Sequence, residues 1–169
     1  MKVKIVVLSD THVPKRAKSF PPRLLVELQT ADAIIHAGDL LNTAAYRELC
    51  TFGTVHAVYG NADEEELKHL LPRRLLLDMN SFKIGVVHGH EGKGSSTERR
   101  ALNAFKDEHL DCLIFGHSHI PVKKQDKGLL IFNPGSPTDK RRQPRFSFGL
   151  INIGETLQAE HVFFKKGSY

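Results

Sequence analysis

The sequence has no hydrophobic run of membrane-spanning length and contains only two cysteines. Before Ser9 the apolar stretch is four residues long, too short for a signal peptide or a membrane span. We therefore expect a cytoplasmic protein without a membrane partner. Low-complexity tracts and internal repeats are also missing. The 169 residues, 40% of them hydrophobic, predict one globular domain over residues 1–169 with its own core.

The two cysteines, Cys50 and Cys112, lie far apart in segments of regular hydrophobic periodicity. Neither belongs to a CxxC motif or to a Cys/His spacing typical of zinc sites. We expect two buried free thiols rather than a disulfide or metal ligands. A convincing pair of nucleophile and base is missing as well. Ser9 ends a strand and Ser118 is expected to point away from the histidines beside it, so we interpret both as structural.

Positive charge exceeds negative charge, with a net charge of +5 and a pI near 9.3. Such a surplus suits a polyanionic or phosphorylated substrate, although in a chain of this size it often serves only solubility. The densest cationic stretch is DKRRQPR at residues 139–145. It lacks interleaved aromatic residues and a recognised binding module. We interpret it as a solvated loop, so nucleic-acid binding stays open but unsupported.

Hydrophobic periodicity predicts nine short strands and four helical segments. The first two-thirds of the chain alternates strands and helices, and the part after Leu110 is mainly β. Asn42 or Thr43, and Ser96 or Thr97, are suitable N-caps, and Asp63 with Glu66 predicts a capping box. Turns are expected at residues 80–82 and 126–128. The predicted strands are 3–8, 33–37, 55–59, 75–77, 83–87, 112–115, 129–132, 146–153 and 161–164, and the helical segments are 21–31, 42–52, 61–72 and 96–109.

Metal-competent side chains follow five of the predicted strands, at the point where each strand ends. Open α/β sheets place their ligands at this edge. His117 and His119 have the spacing of residues that point the same way along an extended chain. A glycine stands directly before three of the clusters and permits close approach of the backbone. The candidate ligands are Asp10, His12, Asp39, Asn61, His88, His117 and His119.

These seven oxygen and nitrogen donors are too many for one tetrahedral site. They suit two metal ions that share a bridging carboxylate. The mixture of donors favours manganese, iron, zinc or nickel over calcium. Any one of these residues alone is more often a turn or surface residue, but five placements share one geometry. We interpret His36 and His56 as core residues and find no ligand partner for His69, His109 or His161. His90, two residues after His88, is open between a supporting role and solvent exposure.

The motifs DTH, GD, GN, HGH and GHSH, in this order, resemble those of the calcineurin-like metallophosphoesterases over residues 9–136. The small size and the stretches VVHGH and NPGS are similar to the compact branch, which includes bacterial and archaeal phosphodiesterases and the retromer subunit. The resemblance implies an α/β fold, a four-layer α-β-β-α sandwich of two mixed sheets. It implies a bridging Asp39, with Asp10, His12 and His119 on one metal and Asn61, His88 and His117 on the other.

One residue departs from the wider family, whose GNH motif has a histidine after the asparagine. Here the stretch is GNAD, and Ala62 offers neither a hydrogen bond nor a proton. Asp63 does not replace that histidine because a carboxylate repels phosphate, so we interpret it as a supporting or helix-capping residue. Compact-branch relatives with phosphodiesterase activity also lack the histidine. We therefore expect an active site that expels poor leaving groups inefficiently.

The sequence thus predicts a binuclear metal-dependent phosphodiesterase, with a metal-bridging hydroxide as the nucleophile and Asp39, Asn61 and His88 as catalytic residues. Two divalent metal ions per chain are expected, manganese first, with nickel, iron and zinc as alternatives. The substrate would be a phosphodiester small molecule or nucleotide. The alternative is a protein-binding scaffold with little activity, but the intact Asp39 and Asn61 favour an enzyme. The physiological substrate, the native metal and formation of a homo-oligomer stay open.

Overall fold

The computed structural model describes residues 1–169 and contains ten strands and four helices. No helix exceeds eight residues, and none could traverse a bilayer. The strands are β1 Val3–Leu8, β2 Ala33–His36, β3 Thr54–Ala57, β4 Arg74–Met79, β5 Phe82–Val87, β6 Cys112–Ile114, β7 Val122–Asp126, β8 Leu129–Asn133, β9 Phe146–Ile153 and β10 Leu157–Phe164. The helices are α1 Pro22–Leu28, α2 Thr43–Cys50, α3 Glu65–Leu70 and α4 Thr97–Ala104.

The strands form two five-stranded mixed sheets, β10-β9-β1-β2-β3 and β4-β5-β6-β8-β7. In the first sheet β1, β2 and β3 are parallel, whereas β9 pairs antiparallel with both β1 and β10. In the second sheet β5, β6 and β8 are parallel, and the outer strands β4 and β7 are antiparallel to their neighbours. Each sheet therefore contains three neighbouring parallel strands whose carboxyl ends lie at one edge of the fold.

Alternation along β1 shows how the sheets and helices stack. Ile5 and Val7 belong to the apolar cluster that both sheets share, whereas Val6 and Leu8 pack with residues of α1, α2 and α3. On the outer face of the second sheet, Leu113 packs in one cluster with residues of α4. The order of layers is therefore helices, sheet, sheet, helix, which confirms the predicted four-layer α-β-β-α sandwich.

The predicted elements agree with the structure except at a few places. Strand β7 was not predicted because its sequence, VKKQD, is polar and almost entirely exposed at a sheet edge. The capping roles of Asn42 and Ser96 are confirmed by side-chain bonds of 3.0 and 3.1 Å to the backbone N–H three residues later. The capping box is wrong, because Glu64 stands at the N-cap of α3 without a side-chain bond and Asp63 bonds elsewhere.

The two cysteines differ in exposure. Cys112 is fully buried in the cluster between the sheets, and burial, with the charge of Asp111 adding to it, raises the pKa of the thiol to about 12. Cys50 is exposed, which contradicts the expectation of a buried thiol. It is the last residue of α2, where Ala45 and Leu49 form the buried face.

Thiol labelling checks this difference. Near pH 8.5, where an ordinary thiol is about half ionised, we expect a disulfide reagent to label one thiol in the native protein and two after denaturation. The Cys50→Ser variant should show no rapid labelling, because Cys112 stays protonated and inaccessible. Rapid labelling of two thiols in the native wild-type protein would contradict the burial of Cys112.

Candidate metal centre

Two carboxylates and three histidines converge where the parallel strands of both sheets end. All five residues are buried. Their ligand-type atoms form two groups that share Asp10, and within each group these atoms lie within 4.8 Å of one another. The groups are Asp10 with His12 and His119, and Asp10 with Asp39 and His88.

Each carboxylate presents one oxygen between two imidazoles. Asp39 Oδ2 lies 3.5 Å from His12 Nε2 and 3.3 Å from His88 Nε2. Asp10 Oδ1 lies 3.4 Å from His119 Nε2 and 3.8 Å from His88 Nε2. Asp39 thus stands between His12 and His88, which the family resemblance assigns to different metals.

The second oxygen of each carboxylate is held by the protein. Asp10 Oδ2 accepts hydrogen bonds from Ser9 Oγ at 2.6 Å and from the His117 backbone N–H at 3.0 Å. Asp39 Oδ1 accepts from the Ala62 N–H at 2.9 Å. These bonds leave one oxygen of each carboxylate facing the imidazoles.

Two imidazoles are fixed in the tautomer that a metal ligand needs. His88 Nδ1 lies 2.7 Å from the Ala37 carbonyl oxygen, and His119 Nδ1 lies 2.5 Å from that of Asp139. Since a carbonyl only accepts, each Nδ1 carries a proton, so the neutral imidazole has its lone pair on Nε2.

Four of the converging atoms are buried and have no hydrogen-bond partner. Buried polar atoms in proteins are nearly always satisfied, so an unpartnered cluster requires an explanation. Here imidazole nitrogens face carboxylate oxygens, and a divalent cation between them would satisfy both. The residues present therefore fit a metal ion. The four atoms are Asp10 Oδ1, His12 Nε2, His88 Nε2 and His119 Nε2.

The electrostatics of the centre also favour a cation. No lysine or arginine pairs with Asp10 or Asp39. Burial alone would lower the pKa of His88, but the neighbouring carboxylates of Asp39 and Asp10 raise it to about 9. Burial opposes ionisation of Asp39, yet His88 and the Ala62 N–H hold its pKa below its usual range. Both shifts show a pocket that stabilises positive charge beside two carboxylates.

The ligand loops use a backbone conformation that non-glycine residues seldom adopt. Positive φ angles occur at five candidate ligands, and such residues concentrate at functional sites. Because the chain turns sharply at His117 and His119, the predicted extended geometry there is wrong. The ring of His117 lies 5.1 Å from that of His88, whereas the ring of His119 stacks on His12 at 5.5 Å. The φ angles are 58° at Asp10, 45° at His12, 61° at Asp39, 67° at His117 and 61° at His119.

Glycine is required where the backbone meets these side chains. A Cβ at Gly38, where φ is 100°, would lie 2.6 Å from His88 Nδ1. A Cβ at Gly116 would overlap Ser9 Oγ, the donor to Asp10. The close approach predicted from the sequence is therefore confirmed at both positions.

Two predicted ligands lie outside the two groups of converging atoms. His117 is half-buried beside His88, and Asn61 is exposed between Gly60 and Ala62. Their place is the solvent side of the centre. The ligand roles of both residues stay predictions.

Asp63 supports the centre in a way that the sequence did not reveal. It is 3% exposed, and its carboxylate accepts three backbone N–H bonds, from Gly60 at 2.7 Å, Leu41 at 2.7 Å and Asp39 at 3.1 Å. Burial raises its pKa, while these bonds act against the rise. Asp63 thus joins the loop after β2 to the loop after β3. A supporting role was predicted, but two of its three partners, Asp39 and Leu41, are more than 20 residues away in sequence and carry no local signal.

The loop before β9 fastens the DTH stretch. Ser136 Oγ donates to the Asp10 carbonyl oxygen at 2.8 Å, and Thr138 Oγ1 donates to that of Thr11 at 2.5 Å. The NPGS stretch, which carried part of the family resemblance, thus holds the DTH loop in place through Ser136. Ser118 Oγ accepts from the Asn133 amide, in agreement with its structural interpretation.

His36 and His90 supply further support around the ligands. His36 is fully buried, as predicted, with its ring nitrogens 3.1 Å from the Gly38 N–H and 3.0 Å from Thr11 Oγ1. Burial, with the charge of His88 adding to it, lowers its pKa to about 3. The ring of His90 lies 5.3 Å from that of His88, with Nδ1 buried and unpartnered, so it belongs to the centre rather than to open solvent.

Known proteins are similar to this chain in sequence and in fold. Residues 3–156 match the calcineurin-like phosphoesterase superfamily domain. A probable metallophosphoesterase of Methanothermobacter thermautotrophicus is 35% identical over 162 residues, which cover 94% of this chain and 91% of that protein. Vps29 of Entamoeba histolytica in complex with Zn²⁺ is 27% identical, with a TM-score of 0.74 over 95% of this chain and 99% of that one. A structure described as a novel archaeal phosphodiesterase shares the fold at 22% identity, with a TM-score of 0.74 over 96% and 100% of the two chains.

The role of Asp63 is testable by replacing its carboxylate with an amide. In the Asp63→Asn variant an NH₂ group would face backbone N–H donors, so we expect the free energy of unfolding to fall by about 2 kcal/mol and metal affinity to fall by about 10- to 100-fold. Urea denaturation with chelator and calorimetric metal titration measure the two effects. The exposed Glu66→Gln is the matched control and should stay within about 0.5 kcal/mol of wild type. Equal stability of the two variants would show that Asp63 does not hold the loops together.

Proposed function

The chain belongs to the calcineurin-like phosphoesterase superfamily, a family of metal-dependent hydrolases, and on this basis we propose that it is a binuclear phosphodiesterase. The observation that carries the proposal is the set of four buried, unpartnered ligand atoms that face one another from two carboxylates and three histidines. Binding of a protein partner does not by itself require such a set. The fold position, at the ends of parallel strands, is also the ligand position of open α/β sheets.

Two divalent cations would be held by seven residues. Asp10, His12 and His119 would hold one, and Asn61, His88 and His117 the other. Asp39 would contact both, since its Oδ2 atom lies between His12 and His88. Manganese is the expected metal, with nickel, iron and zinc as alternatives, because the donors mix imidazole with carboxylate.

When bound, two such cations supply Lewis-acid chemistry, lowering the pKa of water and neutralising charge on the phosphoryl group. The protein keeps the ligand atoms in place for this. Ser9 and the Ala62 N–H fix the carboxylates, and carbonyl oxygens fix the tautomers of His88 and His119. The buried ligand residues exclude water from the interior side of the site. The exposed Asn61 marks the side from which a diester would enter.

A diester suits this site better than a monoester. A monoester carries almost two negative charges near neutral pH, a diester one. At position 62 the chain has an alanine, so no side-chain donor is present there for a second charge. The archaeal structural neighbour described as a phosphodiesterase is in line with this assignment.

A scaffold function is the second candidate, since Vps29 structures are among the neighbours. The intact Asp39 and Asn61 and the unpartnered ligand atoms support it less well than they support an enzyme. Binding of a protein partner would place no demand on these atoms.

The Asp39→Asn variant tests the binuclear assignment. Wild-type protein should contain about two metal ions per chain, and the variant should contain fewer and lose at least ~100-fold in hydrolysis of an aryl phosphodiester. Elemental analysis and initial rates with manganese measure both. The control is His56→Gln on β3, which should keep both properties. Chelation should abolish turnover while circular dichroism stays unchanged, because the core does not depend on the metals.

Wild-type activity in Asp39→Asn would remove the basis of the two-metal proposal. Unfolding on chelation would mean that the site is structural. One metal per chain in an active wild-type protein would require a mononuclear mechanism.

The alanine at position 62 predicts a steep dependence of rate on the leaving group. A phenolate departs unprotonated, whereas an alkoxide needs a proton. Aryl diesters of graded leaving-group pKa should therefore give a steep Brønsted slope with wild-type protein. Ala62→His should flatten the slope, with the largest gain for poor leaving groups. Ala62→Leu adds bulk without a donor and should leave the slope steep.

The metal content of both variants must match wild type, since a side chain here lies next to Asn61. A shallow slope already present in the wild type would show that another group performs the task of the absent histidine. His90, whose ring lies beside His88, would then be the first residue to replace.

A further inference from the structure

Positive charge is concentrated around the metal centre. Three segments border the edge of the fold where the centre lies, residues 13–19, 139–145 and 163–169. Together they carry nine of the 24 lysines and arginines and one of the 19 acidic residues, Asp139. Much of the surplus charge of the chain therefore lies at the same edge of the fold as the centre.

The first two segments are attached to the metal ligands and to each other. The Arg16 N–H donates to the His12 carbonyl at 2.8 Å, so residues 13–16 form a turn directly after a ligand. The Asp139 carbonyl accepts from His119, and its carboxylate lies 3.3 Å from Arg16 Nε. The single acid of the three segments is thus occupied within them and leaves the remaining cations unneutralised.

Several of those cations are exposed and have no acidic partner. Lys15, Lys18, Arg141 and Arg142 all have high exposure and form no ion pair. Because these side chains are exposed and unpaired, they break no ion pair when they bind phosphate. They form a surface suited to a chain of phosphates rather than to one phosphate.

The third segment brings an aromatic side chain to the same edge. Since β10 is antiparallel to β9, and β9 to β1, the end of β10 lies beside the end of β1. Phe163 pairs with Ser147, whose N–H donates to Ser136 O, and Ser136 Oγ donates to the carbonyl of Asp10. Three steps of about 5 Å each therefore separate Phe163 from a metal ligand.

Phe163 is 40% exposed, and the Arg145 guanidinium lies 4.5 Å from the centre of its ring. The guanidinium covers one face of the ring, and an unpaired base can stack on the exposed part of the ring or on the guanidinium plane. Residues 139–145, DKRRQPR, contain no aromatic residue. The fold supplies one from a distant part of the chain.

We propose that the substrate of this site is single-stranded nucleic acid. The strand would lie with its phosphates on residues 13–19 and 139–145 and with one base stacked on Phe163. A duplex keeps its bases stacked on one another and cannot use that ring. The identity of the substrate rests on the proposed phosphodiesterase function, but the binding of the strand does not.

Binding is measured by fluorescence anisotropy with a labelled single-stranded oligonucleotide of about 20 nucleotides, long enough to span several ~4–16-nucleotide site sizes. The Asp39→Asn protein with chelator is used, so that turnover does not interfere. The test variant adds Arg141→Gln and Arg142→Gln. The control adds Lys2→Gln and Lys83→Gln, which remove the same charge from exposed residues at the opposite edge.

The test variant should bind about 10-fold more weakly at low salt, and its slope of log K against log salt should be shallower by about 1.4. The control should change affinity less than about 2-fold. Phe163→Leu should weaken oligonucleotide binding roughly 5-fold or more and should leave binding of inorganic polyphosphate unchanged.

Equal weakening by test and control variants would overturn the proposal, as would equal effects of Phe163→Leu on oligonucleotide and polyphosphate. Tighter binding of the matching duplex would overturn the single-stranded assignment. Hydrolysis of a small aryl diester separates the two proposals. If the wild-type protein binds the oligonucleotide as expected but does not hydrolyse the diester, the phosphodiesterase function fails and the binding surface stands.

Discussion

Two carboxylates, Asp10 and Asp39, are buried at the edge of a sheet without a lysine or arginine beside them. Burying a charge is costly unless something compensates it. Here the compensation is shared among N–H and O–H donors on one oxygen of each carboxylate and a place for a cation at the other. That arrangement is kept in place by glycines at positions where a Cβ would collide, by the left-handed backbone at the ligands and by the fixed imidazole tautomers. The function of the chain depends on this one concentration of negative charge.

Much of the fold could be read from local patterns. Strands such as β1 and β9 coincide with their predicted bounds, because short hydrophobic runs of that length are typical of buried strands. The polar edge strand β7 could not be found, since its residues bury almost nothing. Cys50 was misjudged because helical periodicity alone does not say which residue of the last turn faces solvent.

The candidate site was predicted only partly in its geometry. The five converging residues follow strand ends, and topology brings strand ends together, so their convergence was accessible from the sequence. The task of Asp63 was not, because two of its three N–H partners, Asp39 and Leu41, come from another loop. Likewise Phe163 reaches the edge of the site only through the pairing of β10 with β9. Contacts of this kind arise from the register of strands distant in sequence, which no local pattern records.

The bonds from Ser136 and Thr138 to the DTH loop join residues 126 and 127 positions apart along the chain. β1 also pairs with β9, with Val3 opposite Ile153. The loop that carries Asp10 and His12 is therefore secured only by residues that are synthesised long after it. Assembly of the centre accordingly waits for residues 136–153, and a chain interrupted before Ser136 lacks both β9 and the hydroxyl groups that hold this loop.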